Sequence, residues 1–231
     1  MDSRGIKRIT IFSGHYGSGK TNVAVNLAFY LKKQYNNLVV ADLDIVNPYF
    51  RTKDSIKDFN ERGIELICSE YANTNVDIPA LPADMYRLTT DKNLTAIIDV
   101  GGDDRGAYAL GRLVPEIKSE NNFDMLMVIN GYRPLTPDAQ STIQVMREIE
   151  TACGLKFTGL VNNSNIGVET TAQNVINSIG YAGEVSQASG LPIVMTTVKA
   201  DLYDELTMPV ELRKAHQAND KAVMQAYGFW G

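Results

Sequence analysis

The sequence predicts a three-layer α/β domain, a doubly wound and mostly parallel sheet of about seven strands with helices on both faces. Three observations lead there. Short apolar runs alternate with helix-period segments along the chain, the order that parallel βαβ units produce. Some of these runs, Leu38-Val39-Val40-Ala41 above all, are continuously apolar, as strands buried on both faces are. A glycine-rich stretch joins the first strand to the first helix. With 231 residues, 44% hydrophobic and 21% charged, the chain suits a single domain over 1–231 with a full core.

Each element has its own signal. Ile6–Phe12 reads as a strand, and Thr21–Gln34 as a helix because Val23, Ala24, Leu27, Ala28 and Leu31 recur at helical spacing. Asn36-Asn37 ends that helix, and Leu38–Ala41 is the second strand. A short helix over Asp54–Arg62 precedes the strand Ile64–Cys68. Residues 69–82 are polar, with Pro79 and Pro82 limiting regular structure, and are expected to be flexible. A helix over 83–90 leads to the strand Leu94–Val100. Arg105–Lys118 is helical around Leu110, Leu113 and Val114. Then come the strand Met125–Ile129, the helix Pro137–Cys153, the strand Phe157–Val161, the helix Ala172–Ile179 and the strand Leu191–Thr197. The last 25 residues read as helical as far as Gly228.

Composition excludes several function classes. The 22 Lys and Arg against 27 Asp and Glu leave a net charge of −5, which argues against a generally basic nucleic-acid binder. Two distant cysteines, Cys68 and Cys153, make neither a disulfide framework nor a zinc site. The longest apolar runs fall far short of a membrane span, and Ile9–Phe12 is too short for a signal peptide, so a cytoplasmic protein is expected. The aromatic end Tyr227-Gly228-Phe229-Trp230-Gly231 follows Arg213, Lys214 and Lys221, which Glu211 and Asp220 offset. It reads as a docked tail rather than a lipid anchor.

The chemistry centres on Gly14-His15-Tyr16-Gly17-Ser18-Gly19-Lys20-Thr21, which matches GxxxxGK[ST] in full and lies between a strand and a helix. Glycines let the backbone curl so that its N–H groups face phosphate oxygens, and the helix N-terminus adds partial positive charge. Gly14, His15, Gly17, Ser18, Gly19, Lys20, Thr21 and the adjoining Asn22 are the candidate nucleotide-binding residues. Lys20 reaches the β- and γ-phosphates, and the Thr21 hydroxyl can ligate Mg²⁺.

Two acidic positions complete the pattern. Ile97-Ile98-Asp99-Val100-Gly101-Gly102 puts Asp99 at the C-terminal end of a buried strand, where ligands bind in such sheets. The same run reads as DxxG, whose Gly102 N–H can sense a γ-phosphate. Asp42-Leu43-Asp44 leaves the second strand with both carboxylates on one side of an extended chain. One carboxylate can hold a metal-bound water while the other orients a nucleophile. Capping of a helix or turn is the alternative use of all three aspartates. Arg51, Arg105 and Arg133 follow strands near the ligand edge. Each is either a contact to phosphate, substrate or partner, or a structural residue; for Arg133 that means a salt bridge.

Together these residues resemble the MinD/ParA family of P-loop ATPases, within the CobQ/CobB/MinD/ParA class that includes the nitrogenase iron protein and dethiobiotin synthetase. The resemblance implies a P-loop NTPase fold with ATP and Mg²⁺ as ligands. It implies that Lys20, Asp42 and Asp44 are catalytic, with Asp44 orienting the attacking water. It implies that Thr21, Asp42 and Asp99 support the metal, and that Asn162 or Asn163 contacts the adenine. A homodimer and a further protein partner, not named by the sequence, are the family's usual company. One departure stands out: the signature lysine of SGKGGxGKT is replaced by His15. Asn162-Asn163-Ser164-Asn165 holds no aspartate to read guanine, which favours ATP over GTP. The expected function is a Mg²⁺-dependent ATPase acting as a nucleotide-driven switch. The alternatives are a small-molecule kinase or ATP-dependent ligase, and an ATP-binding module that does not hydrolyse.

Overall fold

The computed structural model describes residues 6–43, 53–68, 83–102, 104–203, 206 and 224–225. Strand β1 (Ile9–Ser13) is buried throughout and leads through the glycine-rich turn into α1 (Lys20–Lys32). Strand β2 (Leu38–Asp42), helix α2 (Lys53–Glu61) and strand β3 (Glu65–Cys68) follow. A 3-10 turn over Ala83–Tyr86 runs into α3 (Arg87–Thr90) and then β4 (Thr95–Asp99). Helices α4 (Asp104–Gly111) and α5 (Val114–Glu120) precede β5 (Phe123–Ile129). The second half contains α6 (Ala139–Cys153), β6 (Gly159–Asn162), α7 (Ala172–Ser189) and β7 (Ile193–Val198). Met224–Gln225 forms a two-residue strand, β8.

The sheet order is β3-β2-β4-β1-β5-β6-β7-β8, and every strand pair is parallel. From β1 the chain winds toward the β3 edge, returns to place β4 beside β1, and then crosses to β5 on the other side. The winding direction therefore reverses around β1, and a crevice opens at such a point beyond the C-terminal strand ends.

Side-chain alternation builds two cores. Ile9, Ile11, Val39, Ala41, Ile98, Met125, Met127 and Leu160 face α4, α5, α6 and α7. Phe12, Val40, Ile97, Leu126, Val128 and Val161 face α1, with Phe59 of α2 joining them. Both faces are thus covered, which is why the strands read as unbroken apolar runs.

Three expectations need correction. The helix expected over 105–118 is two helices. After Gly111 the backbone tightens, with Arg112 and Leu113 N–H bonding the carbonyls of Ala109 and Leu110, and Pro115 has no N–H to continue an α-helix. The helix expected to stop at Ile179 runs on through Gly180 and Gly183 to Ser189. A Thr171–Asn174 capping box starts it, and Val175, Ala182 and Val185 bury along it, which offsets about 1 kcal/mol for each interior glycine. At the C-terminus, Met224–Gln225 extends the sheet beside β7 instead of continuing a helix. The rest of that expected helix and the 69–82 loop lie outside the described residues.

Candidate nucleotide-binding site

The glycine-rich turn sits at the reversal point, between the ends of β4 and β5. Gly14 lies under it, against the Val128 carbonyl. Gly19 ends the turn at φ 86°, a conformation that a residue with a Cβ adopts only at a cost. A Cβ there would also overlap the Asn163 amide. Gly102, after β4, comes so close that a Cβ would lie 2.7 Å from the Tyr16 N–H. The phosphate loop and the turn after β4 therefore touch backbone to backbone.

No side chain caps α1, and no acid lies in its first turn. The contrast within the chain is direct. Asp138 caps α6 by accepting from the Ser141 N–H at 2.8 Å, and Thr171 caps α7. The N-terminal amides of α1 are thus left with their partial positive charge, the arrangement that receives an anion. Lys20 opens this helix and is only 5% exposed.

The acids meet this helix from the sheet. Asp42 and Asp99 are register partners on adjacent parallel strands and are 3% and 1% exposed. Both follow residues that face the opposite core, so both turn toward α1. Thr21 Oγ1 donates to Asp99 Oδ2 at 2.5 Å, tying the first turn of α1 to β4. Two carboxylates side by side out of water repel, and a hard cation relieves that repulsion. The donor set of one hydroxyl and two carboxylates is all oxygen and fits Mg²⁺, which takes one or two protein carboxylates plus phosphate and water. Among the described residues no cluster of three or more His, Cys, Asp or Glu forms a self-sufficient metal cage.

Loops from the other half brace the turn. Asn163 Nδ2 donates to the Ser18 carbonyl at 2.6 Å, and Thr197 at the end of β7 donates to Asn163 Oδ1. Arg133 Nε donates to the Gly17 carbonyl at 2.8 Å. The fully buried Asn130 links these two loops. Its side chain accepts from the N–H groups of Tyr132 and Asn165 and donates to the Asn165 carbonyl.

The nucleotide-binding domain model named for CobQ, CobB, MinD and ParA matches residues 9–190, well over half of the chain. The chain belongs to this family. It is a nucleotide-binding P-loop NTPase domain. A model of the MmeI C-terminal domain also matches residues 163–230, a shorter span that overlaps the first. No curated protein matches the chain. Among solved structures, chloroplast FtsY from Physcomitrella patens is similar at TM-score 0.54 and 17% identity, over 85% of this chain and 59% of that one. FtsY from Mycoplasma mycoides gives 0.55 and 17%, over 94% and 68%. FtsY from Thermotoga maritima gives 0.53 and 19%, over 82% and 61%. At these identities the likeness shows a shared fold, and the chain spans roughly three fifths of the length of most of these neighbours.

The family's motif residues fall into two groups in space. Gly14, Gly17, Ser18, Gly19, Lys20, Thr21, Asn22, Asp42, Asp99 and Gly102 gather at the loop and the strand ends beside it. His15 is half-buried in the loop, and its Nδ1 lies 2.7 Å from the Tyr16 carbonyl. A carbonyl only accepts, so Nδ1 is the donor in this contact. Asn162 and Asn163 diverge. Asn162 turns to α7, donating to Ser178 Oγ at 2.9 Å, whereas Asn163 supports the loop. Asp44 and Arg51 lie outside the described residues, as does the side chain of Arg105. Sequence reasoning missed Thr197 and Asn130, which carry no motif and matter only through what they hold.

Proposed function

We propose that this chain binds ATP with Mg²⁺ and hydrolyses it as a nucleotide-driven switch of the MinD/ParA kind. The observation that carries the proposal is the Thr21–Asp99 hydrogen bond with Asp42 in register beside it. It joins the phosphate loop to two buried acids at the sheet edge. Lys20 and the loop N–H groups neutralise charge on the phosphate oxygens as it redistributes. Asp44, two residues beyond Asp42 in the sequence, orients the attacking water. Bound with the triphosphate, Mg²⁺ supplies further neutralisation, and Thr21, Asp42 and Asp99 would hold it. The close approach of Gly102 to the loop supports the switch, because a change at the phosphate end reaches the start of α4 through that contact.

The run Asn162–Asn165 lacks a carboxylate, which supports adenine over guanine. We assign the chain to a reducing cytoplasm, which two cysteines far apart in the sequence and in no disulfide framework support. A homodimer is the assembly proposed, and sizing with and without ATP tests it. The function test compares ATPase turnover of the wild type with Lys20→Ala and Asp44→Ala. Loss of turnover in both variants supports the assignment, and equal rates in all three remove it. GTP competing as well as ATP overturns the base preference. ATP consumption that requires a metabolite and yields a phosphorylated product favours a kinase or ligase.

A further inference from the structure

We infer that Arg133 is a positioning residue for the nucleotide triphosphate, acting through the peptide that joins Gly17 to Ser18; the inference rests on the nucleotide reading above. That peptide is held at both ends. Its oxygen accepts from Arg133 Nε at 2.8 Å, and its N–H donates to the His15 carbonyl at 3.1 Å. A trans peptide points its C=O and N–H in opposite directions, so fixing both ends fixes the plane of the loop at its tip. The next peptide oxygen, Ser18 O, is held by Asn163, which directs the Gly19 N–H away from that side.

Arg133 is itself delivered from a firm base. Its N–H bonds the Asn130 carbonyl at 3.2 Å, its carbonyl accepts from the Thr136 N–H at 3.1 Å, and Thr136 Oγ1 closes on the Asn130 carbonyl at 3.0 Å. The guanidinium lies over Gly17, where a Cβ would sit 3.5 Å from Nε and 3.7 Å from Cζ. Among the described residues no carboxylate pairs with Arg133, and its guanidinium lies beside the loop. The loop gains a fixed shape and a cation beside Gly17.

The experiment measures Kd for ATP and for adenosine, with Mg²⁺, alongside melting of the nucleotide-free protein. A hydrogen bond to a charged group predicts that Arg133→Ala raises the Kd for ATP about tenfold or more. Binding of adenosine and the melting temperature without nucleotide stay as in the wild type. Arg133→Lys, which keeps a charged donor, recovers much of the loss, and Arg133→Gln, which keeps only a donor, recovers less. An ATP Kd within twofold of wild type for Arg133→Ala overturns the inference. So does an equal loss for ATP and adenosine, or a drop in melting temperature that accounts for the weaker binding. A wild-type chain that binds no triphosphate overturns the nucleotide reading itself, so the two failures are told apart.

Discussion

Protonating Glu120 unlocks the edge of the sheet opposite the phosphate loop. Arg8 enters β1 with its side chain 8% exposed, and its guanidinium bonds both oxygens of Glu120 at the end of α5. The same group donates to the carbonyls of Leu94 at 2.9 Å and Leu88 at 3.0 Å, and Lys92 Nζ reaches Glu120 Oε2 at 2.7 Å. One buried cation therefore ties β1, the approach to β4 and α5 together. The Arg8 hydrogen bonds, helped by Lys92 and opposed by burial, hold the Glu120 carboxyl down from its ordinary 4.5 to about 2. A folded-state value below the unfolded one means that the stabilisation is complete above about pH 4.5 and is lost as pH falls toward 2. At about 1.4 kcal/mol per pH unit the full shift corresponds to about 3.5 kcal/mol, and solvent screening at this partly exposed carboxylate brings the loss to the order of 2–3 kcal/mol. Urea denaturation at pH 7 and pH 3 of wild type and Glu120→Gln checks it. Glu120→Gln should be less stable at pH 7 by about 3 kcal/mol and should lose less on acidification. Parallel pH profiles for the two proteins would refute the reasoning.

Three further outcomes follow from the nucleotide site. Thr21→Val keeps the shape but removes the donor to Asp99; it should weaken Mg²⁺-dependent ATP binding about tenfold and leave Mg²⁺-free binding nearly unchanged, read by calorimetry. Gly19→Ala forces a Cβ onto the Asn163 amide at φ 86°; it should cost at least about 1–2 kcal/mol in thermal unfolding and abolish measurable nucleotide binding. Asn163→Ala removes the donor to Ser18 and the acceptor of Thr197. It should destabilise by about 2–3 kcal/mol and raise the ATP Kd, whereas Asn162→Ala should destabilise without a comparable change in Kd.

Local features were legible from the chain itself. The phosphate loop is a run of adjacent residues with left-handed backbone at Gly14, Gly17 and Gly19, which favours glycine there, so its spacing appears directly in the sequence. The same holds for the buried strands, whose two-sided burial leaves an apolar run, and for Asp99 and Asp42 at the strand ends. Helix limits were less legible where a breaker was tolerated, as at Gly180, or where a single missing N–H decided, as at Pro115. Pattern weighs local preference, and packing onto the sheet can outweigh it.

What the sequence by itself determined is the chemistry available at one turn: an anion-seeking helix start, a lysine, a hydroxyl and acids that emerge from apolar strands. Only the tertiary structure decided which of these meet. The order β2-β4-β1-β5-β6 puts Asp42 beside Asp99, Asp99 on Thr21, and Arg133 and Asn163 on successive carbonyls of the loop. These pairs join residues from different strands and loops, and strand order arises from burying both faces of the whole sheet at once, which no short stretch of residues encodes.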